Sequence, residues 1–565
     1  MIRPEGTSLG AYEPAVMSAL SDLREKRAVE RMLEGDHTLW GPEPDEIANR
    51  LGWLKSPETI RPELPRLAKL ADELKAEGTE HVLLLGMGGS SLAPEVFGKT
   101  LPRKEGYPDL TVLDSTDPEA VLRVAGRLDL AKTVFIVSTK SGGTVETFSL
   151  FKFFYERVRA EVEGEPGSRF IAITDPGSGL QETAERYAFR ETFLNDPDIG
   201  GRYSALSFFG TVPAALIGAD VGKLLDSGAA ALRECSTPAS ETNPGAFLGG
   251  AMGELAAHQG RDKLTFLASP ALEPFGPWVE QLIAESTGKD GVGILPVAEE
   301  PEGPAEVYGE DRVFVKLALR EEETPGTDAL LRELREAGHP VVEILLDSEH
   351  DLGGEMMRWE VATALAGERL GINPFDQPNV ESAKVQARSM LAAYQEEGAL
   401  PQLQPTATDG QLAVFSEGDA PDVEGALKEF FARAQAGDYV ALQAYLPPNE
   451  ATTERLQGIR VGLRDRLRLA TTLGYGPRFL HSTGQLHKGD GGSGLFVQLT
   501  ADHPEDADIP DEAGSSHSSV TFGVLIDAQA LGDRQALLDN DRRFVRVHLG
   551  GDVEGGLDRL AQMLD

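Results

Sequence analysis

Two hydroxyl-rich turns, one arginine, one glutamate helix and two polar loops hold the residues that could do chemistry. The first turn lies in LLLGMGGSSLAPEVF, where an apolar strand ends at Gly86 and runs through Gly88, Gly89, Ser90 and Ser91 into a helix. Such a turn exposes backbone N–H groups, and the dipole of the following helix points the same way, so it suits a phosphate or carboxylate. It fails the dinucleotide spacing G-x-G-x-x-G, because position 91 is serine. The second turn, FIVSTKSGGTVETF, sets Ser138, Thr139, Lys140, Ser141 and Thr144 at the carboxyl end of another strand, where open parallel sheets put their ligands. Helix capping by Ser141 or Thr144 is the competing reading. The lysine is not placed as in an ATP-binding P-loop.

In FLNDPDIGGRYSALSFFG, Arg202 follows two glycines that let backbone and guanidinium approach a ligand. A fixed positive charge in a rigid fork is what an enediolate or a phosphate needs, and a surface salt bridge is the alternative. In FGPWVEQLIAESTGKDG, Gln281 and Glu285 stand four apart on one helical face. Periodicity alone lets Glu285 face a ligand or solvent. NPFDQPNVESAK places Gln377 and Lys384 around a helix start, and HSTGQLHKGDGGSG places His481 and His487 among glycines. Two of the chain's 10 histidines within one short loop point to acid–base work, against a reading as exposed loop residues. H-x-H, H-E-x-x-H and CxxC arrays are missing, so no metal is expected.

The elements that must position these residues follow from apolar patterning. Residues 12–75 read as helices, with Val16, Leu20, Leu23, Val29 and Leu33 at helical spacing. Apolar runs at 82–86, 110–114, 133–139 and 169–175 alternate with helical segments, which predicts a parallel sheet covered on both faces. A second series, at 263–268, 291–297, 312–319 and 341–347, predicts another doubly wound unit. The Pro- and Gly-rich stretch 398–422 reads as a linker or surface excursion. Beyond it, strand-like runs at 438–446, 494–500, 520–527 and 544–550, with a helix from about 450 to 472, predict a third α/β unit. The acidic run 501–514 reads as a solvated loop. The expected organisation is a helical cap (1–75), two α/β domains (76–240 and 241–397), a linker (398–424) and a C-terminal α/β unit with the histidine loop (425–565).

A chain of 565 residues exceeds what one core normally organises, consistent with several domains. The formal charge of −39 disfavours nucleic acid and anionic membranes as partners, since both need a basic footprint. One cysteine, Cys235, excludes an intrachain disulfide and fits a reducing, cytoplasmic setting. No apolar run approaches a membrane span, and MIRPEGTSLGAYEP lacks the regions of a signal peptide.

Taken together and in order, the motifs resemble the glucose-6-phosphate isomerase family, with a fold of two sugar-isomerase-type (SIS) α/β domains. GMGGSSLAP is similar to that family's GIGGSxLGP, STKSGGTVET to its SKTFTTxET phosphate loop, and GGRYS, ESTGK and DQPNVESAK to its remaining signatures, over roughly residues 80–390. The resemblance implies reversible aldose–ketose isomerisation of a hexose 6-phosphate without a cofactor. Gly89, Ser90, Thr139, Lys140, Ser141 and Thr144 would hold the phosphate, and Gln281 and Gln377 would contact the sugar. Arg202 would stabilise the enediolate, Glu285 would carry the proton between C2 and C1, and Lys384 with a histidine would open the ring.

The family's H-x-x-x-Q-L-I-H-Q-G motif normally precedes the DQxxVE segment, whereas the matching HSTGQLHKG here follows it. Aligned with one deletion, it assigns ring opening to His481, with His487 as the alternative. This order resembles the isomerase part of transaldolase–isomerase fusions. In the family the histidine crosses from a neighbouring subunit, so a homodimer is implied. The rival readings are an isomerase acting also on mannose 6-phosphate and a non-catalytic phosphosugar-binding protein.

Overall fold

The computed structural model describes residues 6–564, without the side chains of 380–384. The first sheet comprises β1 (His81–Gly86), β2 (Asp109–Leu113), β3 (Thr133–Ser138), β4 (Phe170–Thr174) and β5 (Glu191–Leu194), all parallel in the order β2-β1-β3-β4-β5. β3 and β4 are buried along their whole length because helices cover both faces, which is why they read as unbroken apolar runs. The strand order reverses between β1 and β3, whose last residues, Gly86 and Ser138, are paired. The turns at 87–91 and 139–144 therefore leave the sheet side by side at its switch point, the crevice where such sheets bind ligands.

The second sheet, β6 (Lys263–Ala268), β7 (Leu295–Val297), β8 (Arg312–Leu319) and β9 (Val341–Leu346), is also parallel, in the order β7-β6-β8-β9. One continuous core joins it to the first sheet and to the N-terminal helices, with Val16, Leu20, Trp53, Val82, Phe209, Leu282 and Trp359 among its members.

The third sheet comprises β10 (Ala407–Thr408), β11 (Ala413–Phe415), β12 (Tyr439–Tyr445), β13 (Ala470–Tyr475) and β14 (Gly494–Thr500); after the hairpin β15 (Asp508–Pro510) and β16 (Ser518–Thr521) it is completed by β17 (Arg543–His548). Its order is β10-β11-β17-β14-β12-β13, with β10–β11 and β11–β17 antiparallel and the rest parallel, and it packs around its own core. The stretch 398–424, expected as a linker, thus supplies two short strands, the edge strand β10 and its neighbour β11. Of the expected strand 520–527, only Val520 and Thr521 are extended, as the end of β16; residues 522–527 are the start of the helix Phe522–Asp539. That helix is buried on most of its circumference, which erases the amphipathic signal that would have marked it. The helix expected to run to 472 ends at Leu467, where Arg468 takes a left-handed conformation (φ 55°) and lets β13 begin. The acidic run 501–514 contains β15, and Ile509 is buried against the first sheet's outer helices.

Candidate active site

Glu285 lies in the last turn of the helix Phe275–Thr287 and is 5% exposed. Its Oε2 stands 3.4 Å from Arg202 Nη1, and its Oε1 accepts from Gln281 Nε2 at 3.4 Å, as the four-residue spacing requires. Arg202 is held on every side. Its Nε donates to Ser286 Oγ (2.7 Å), its Nη2 to the carbonyls of Pro374 (2.8 Å) and Asp376 (2.9 Å), and its Nη1 approaches Gln377 Oε1 (3.5 Å). Ser286 also meets the Tyr203 hydroxyl at 3.2 Å, and burial pushes that phenol up to about 12. Lys289 donates to the Asp376 carbonyl (2.6 Å) and carboxylate (2.7 Å); burial, with the nearby Arg202 charge, holds its ammonium down at about 8. Two cations thus grip the Asp376–Gln377 turn.

Glycine lets these segments meet. Gly88 has φ +56°, and a Cβ there would fall 2.8 Å from Gln281 Nε2 and 3.0 Å from the His481 carbonyl. A Cβ on Gly89 would lie 2.0 Å from the Gly201 carbonyl. The first turn therefore touches the arginine loop, the glutamate helix and the histidine loop at once, and each contact tolerates only hydrogen.

The hydroxyl turn forms the wall of a cavity of about 290 Å³, bordered by Ser141, Thr144, Arg388, His481, Lys488 and Gln529. Thr139 Oγ1 and Thr144 Oγ1 share a hydrogen bond of 2.8 Å, and Ser138 Oγ donates to the Ser90 carbonyl at 3.0 Å, tying the two turns together. Behind them the helix Val145–Glu161 presents its N-terminus. The Lys140 side chain does not join this wall. It pairs with Asp175 and donates to the Pro197 carbonyl at 3.0 Å. Only the backbone of Lys140 remains in the turn.

His481 Nε2 lies 3.2 Å from Glu146 Oε1. His487, by contrast, is 2% exposed, packs among Tyr439, Phe479 and Phe496, and meets Gln443 Nε2 at 3.3 Å. Burial, reinforced by Lys488 and Arg542, holds it well below the ordinary histidine range, so it is a neutral core residue. Gln377 reaches the cluster through Arg202. The side chain of Lys384 lies outside the described residues; its backbone belongs to the helix Val380–Glu397.

Four polar residues of the site were not singled out from sequence. Glu146 sits in the T-V-E-T end of the hydroxyl turn, and Ser286 and Lys289 belong to ESTGK, so motif position could have flagged them. Gln529 carries no local signal, since it comes from a helix whose first residues have the apolar run of a strand. Among the described residues no group of three or more His, Cys, Asp or Glu side chains is placed to hold a metal ion, and no helix is long and apolar enough to cross a membrane.

The chain has relatives among known proteins. Residues 74–311 match the family model described as Phosphoglucose isomerase. A glucose-6-phosphate isomerase of Rubrobacter xylanophilus is 32% identical over 415 residues, which are 62% of this chain and 94% of the relative. One from Heliobacterium modesticaldum is 28% identical over 61% of this chain and 88% of its own. Among solved structures, a hypothetical protein of Thermus thermophilus superposes with a TM-score of 0.59 at 28% identity, covering 69% of this chain and 100% of that one. A glucose-6-phosphate isomerase of Chlamydia trachomatis shares the fold, with a TM-score of 0.57 at 18% identity over 67% of this chain and 86% of its own. The matched span carries the hydroxyl turns, Arg202 and Glu285, and with nearly the whole Rubrobacter relative aligned, the chain belongs to the phosphoglucose isomerase family.

Proposed function

We propose that the protein is a glucose-6-phosphate isomerase that interconverts glucose 6-phosphate and fructose 6-phosphate through a cis-enediol, with Glu285 as the base. The observation that carries this reading is the buried Glu285–Arg202 pair, walled by Gln281 and by the glycine turn that also touches His481. A carboxylate takes the C2 proton and returns it to C1. Negative charge develops on the sugar oxygen as the C–H bond breaks, and Arg202 is already locked in place to offset it, so no reorganisation is needed at that moment.

Ser90, Thr139, Ser141 and Thr144, with the backbone at Gly89 and Lys140, would seat the phosphate at the end of the helix Val145–Glu161, remote from the reacting carbons. Gln281 and Gln377 would orient the sugar hydroxyls. His481, with Lys384, would move the proton that opens the ring, and Glu146 would hold its imidazole. We place the enzyme in the cytoplasm as a homodimer. The sole cysteine, Cys235, is buried with its thiol pushed up to about 12, and suits a structural role in a reducing setting.

The test is a coupled assay of fructose 6-phosphate conversion with chelator present, run beside mannose 6-phosphate and beside Glu285→Gln. Chelator-resistant turnover that Glu285→Gln abolishes, with phosphosugar binding retained, supports the reading, and the mannose result sets its breadth. Phosphosugar binding without turnover in the native protein would instead mark a sensor.

A further inference from the structure

We propose that Gln529, on the C-terminal helix Phe522–Asp539, is a positioning residue that fixes the Glu146 carboxylate against His481. The inference rests on the isomerase reading above.

Three hydrogen bonds run in series from the edge of the first sheet to the histidine. Thr116 Oγ1 donates to Gln529 Oε1 at 2.7 Å, which forces the amide's other end, Nε2, toward Glu146. Nε2 donates to Glu146 Oε1 at 2.7 Å, and this same oxygen stands 3.2 Å from His481 Nε2. Thr116, Gln529 and Glu146 are 0%, 3% and 5% exposed, so water has little access to replace any link. An ionised carboxylate only accepts. Set between an amide donor and an imidazole, it orders the proton onto His481 Nε2 and leaves Nδ1 as the nitrogen that exchanges a proton with substrate.

The same helix grips the histidine loop independently. One turn beyond Gln529, Asp533 accepts from Lys488 Nζ at 2.6 Å in a fully buried pair, and Lys488 lies in the short helix Gly484–Gly489 that follows His481. At its start the helix seats Phe522 edge-on against Phe153 of the helix Val145–Glu161, which also carries Glu146. Adjacent turns of one C-terminal element therefore hold the carboxylate and the histidine loop that must meet. Gln529 lies outside the span 74–311 matched by the family model, so this support comes from a part of the chain beyond it.

The test compares Gln529→Leu and Gln529→Glu with the native enzyme from about pH 5.5 to about pH 9, recording kcat, KM and the thermal midpoint. Gln529→Leu is expected to lose roughly tenfold or more in kcat, with KM held within about twofold. Gln529→Glu supplies a signature that packing alone does not. Protonated, it donates an O–H to Glu146 and restores turnover at the acid end; ionised, it repels Glu146, and kcat relative to native falls as pH rises. Glu146, His481, Lys488, Arg388, Asp533 and Tyr445 also face this region, and dividing by the native rate at each pH removes their shared titrations. Native kcat in Gln529→Leu, or a Gln529→Glu profile parallel to native, would overturn the inference and leave the isomerase reading standing. If Gln529→Leu does not fold, the Gln529→Glu ratio alone decides. An inactive native enzyme would overturn the isomerase reading and this inference with it.

Discussion

At the scale of single residues, the candidate site holds its positive charge in a fixed position. Arg202 spends three of its donors on Ser286, Pro374 and Asp376, and so presents Nη1 beside Glu285 without freedom to swing. Lysine keeps the charge but cannot satisfy those partners from one point. Arg202→Lys is therefore expected to lower kcat by about 10²–10³-fold, with a smaller change in KM, as loss of an oriented oxyanion donor does. Equal kcat in steady-state assays would show that position matters less than charge. The two histidines should also separate. His481→Asn should cut turnover of the cyclic sugar by roughly 10²-fold, whereas His487→Phe should leave kcat within about twofold. His487→Phe should act on stability instead. The folded protein excludes a proton from His487 that the unfolded chain binds below about 6.5, so the native protein loses stability as pH falls through that range and the variant is spared the loss. Thermal midpoints that diverge toward acid pH check this.

At the scale of elements, caps and strand ends decide where the functional groups emerge. Asp117 caps the helix Pro118–Arg127 through Ala120 N (2.8 Å), next to Thr116 of the Gln529 relay. It is 0% exposed, its second oxygen finds no donor among the described residues, and burial raises its carboxyl from 3.8 to about 6. The folded state then binds more protons than the unfolded chain between those values. Native stability consequently falls as pH rises through about 4 to 6, and the full penalty remains above that window. Asparagine caps equally well without the charge. Asp117→Asn should match native stability below about pH 4 and exceed it by roughly 1–3 kcal/mol at pH 7, measured by denaturant titration. No gain at neutral pH would mean that the ionised carboxylate is solvated.

Strands with two buried faces were legible as apolar runs: β1, β3, β4, β6 and β8 fall where patterning placed them. Phe522–Asp539 was not, because a helix buried nearly all round looks like a strand over its first six residues. β13 was hidden by the one-residue break at Arg468. At the site, Glu285, Arg202 and the hydroxyl turns stood out through motif order. Glu146 was reachable through its place in the T-V-E-T motif, but Gln529 was not, since its significance exists only once the C-terminal unit folds over the first sheet.

At the scale of the whole molecule, that docking brings His481, the histidine proposed to open the ring, to the cluster from the same chain. Family resemblance implies a histidine crossing from a neighbouring subunit, yet here His481 of the same chain reaches Glu146 and abuts Gly88. The contact is buttressed on two flanks. Ala284, Leu295 and Val297 of the second unit pack with Tyr439, Leu486 and Phe496, and Ile509, Phe522 and Leu525 pack with the first sheet's outer helices. Among the described residues, His481 thus joins the Glu285–Arg202 cluster from its own chain, and the expectation is that each protomer of a homodimer carries its own site. Mixing inactive variants distinguishes the arrangements. In co-expressed Glu285→Gln and His481→Asn chains, a crossing histidine would give every mixed dimer one site with neither substitution, restoring about a quarter of native activity for random pairing. A histidine acting within its own chain leaves each site with one defect, so the expected result is activity no greater than the mean of the two variants measured alone. Restoration well above that mean, including in mixed dimers isolated by two different affinity tags, would mean that the C-terminal unit exchanges between protomers and that the packing described for a single chain is made across the dimer.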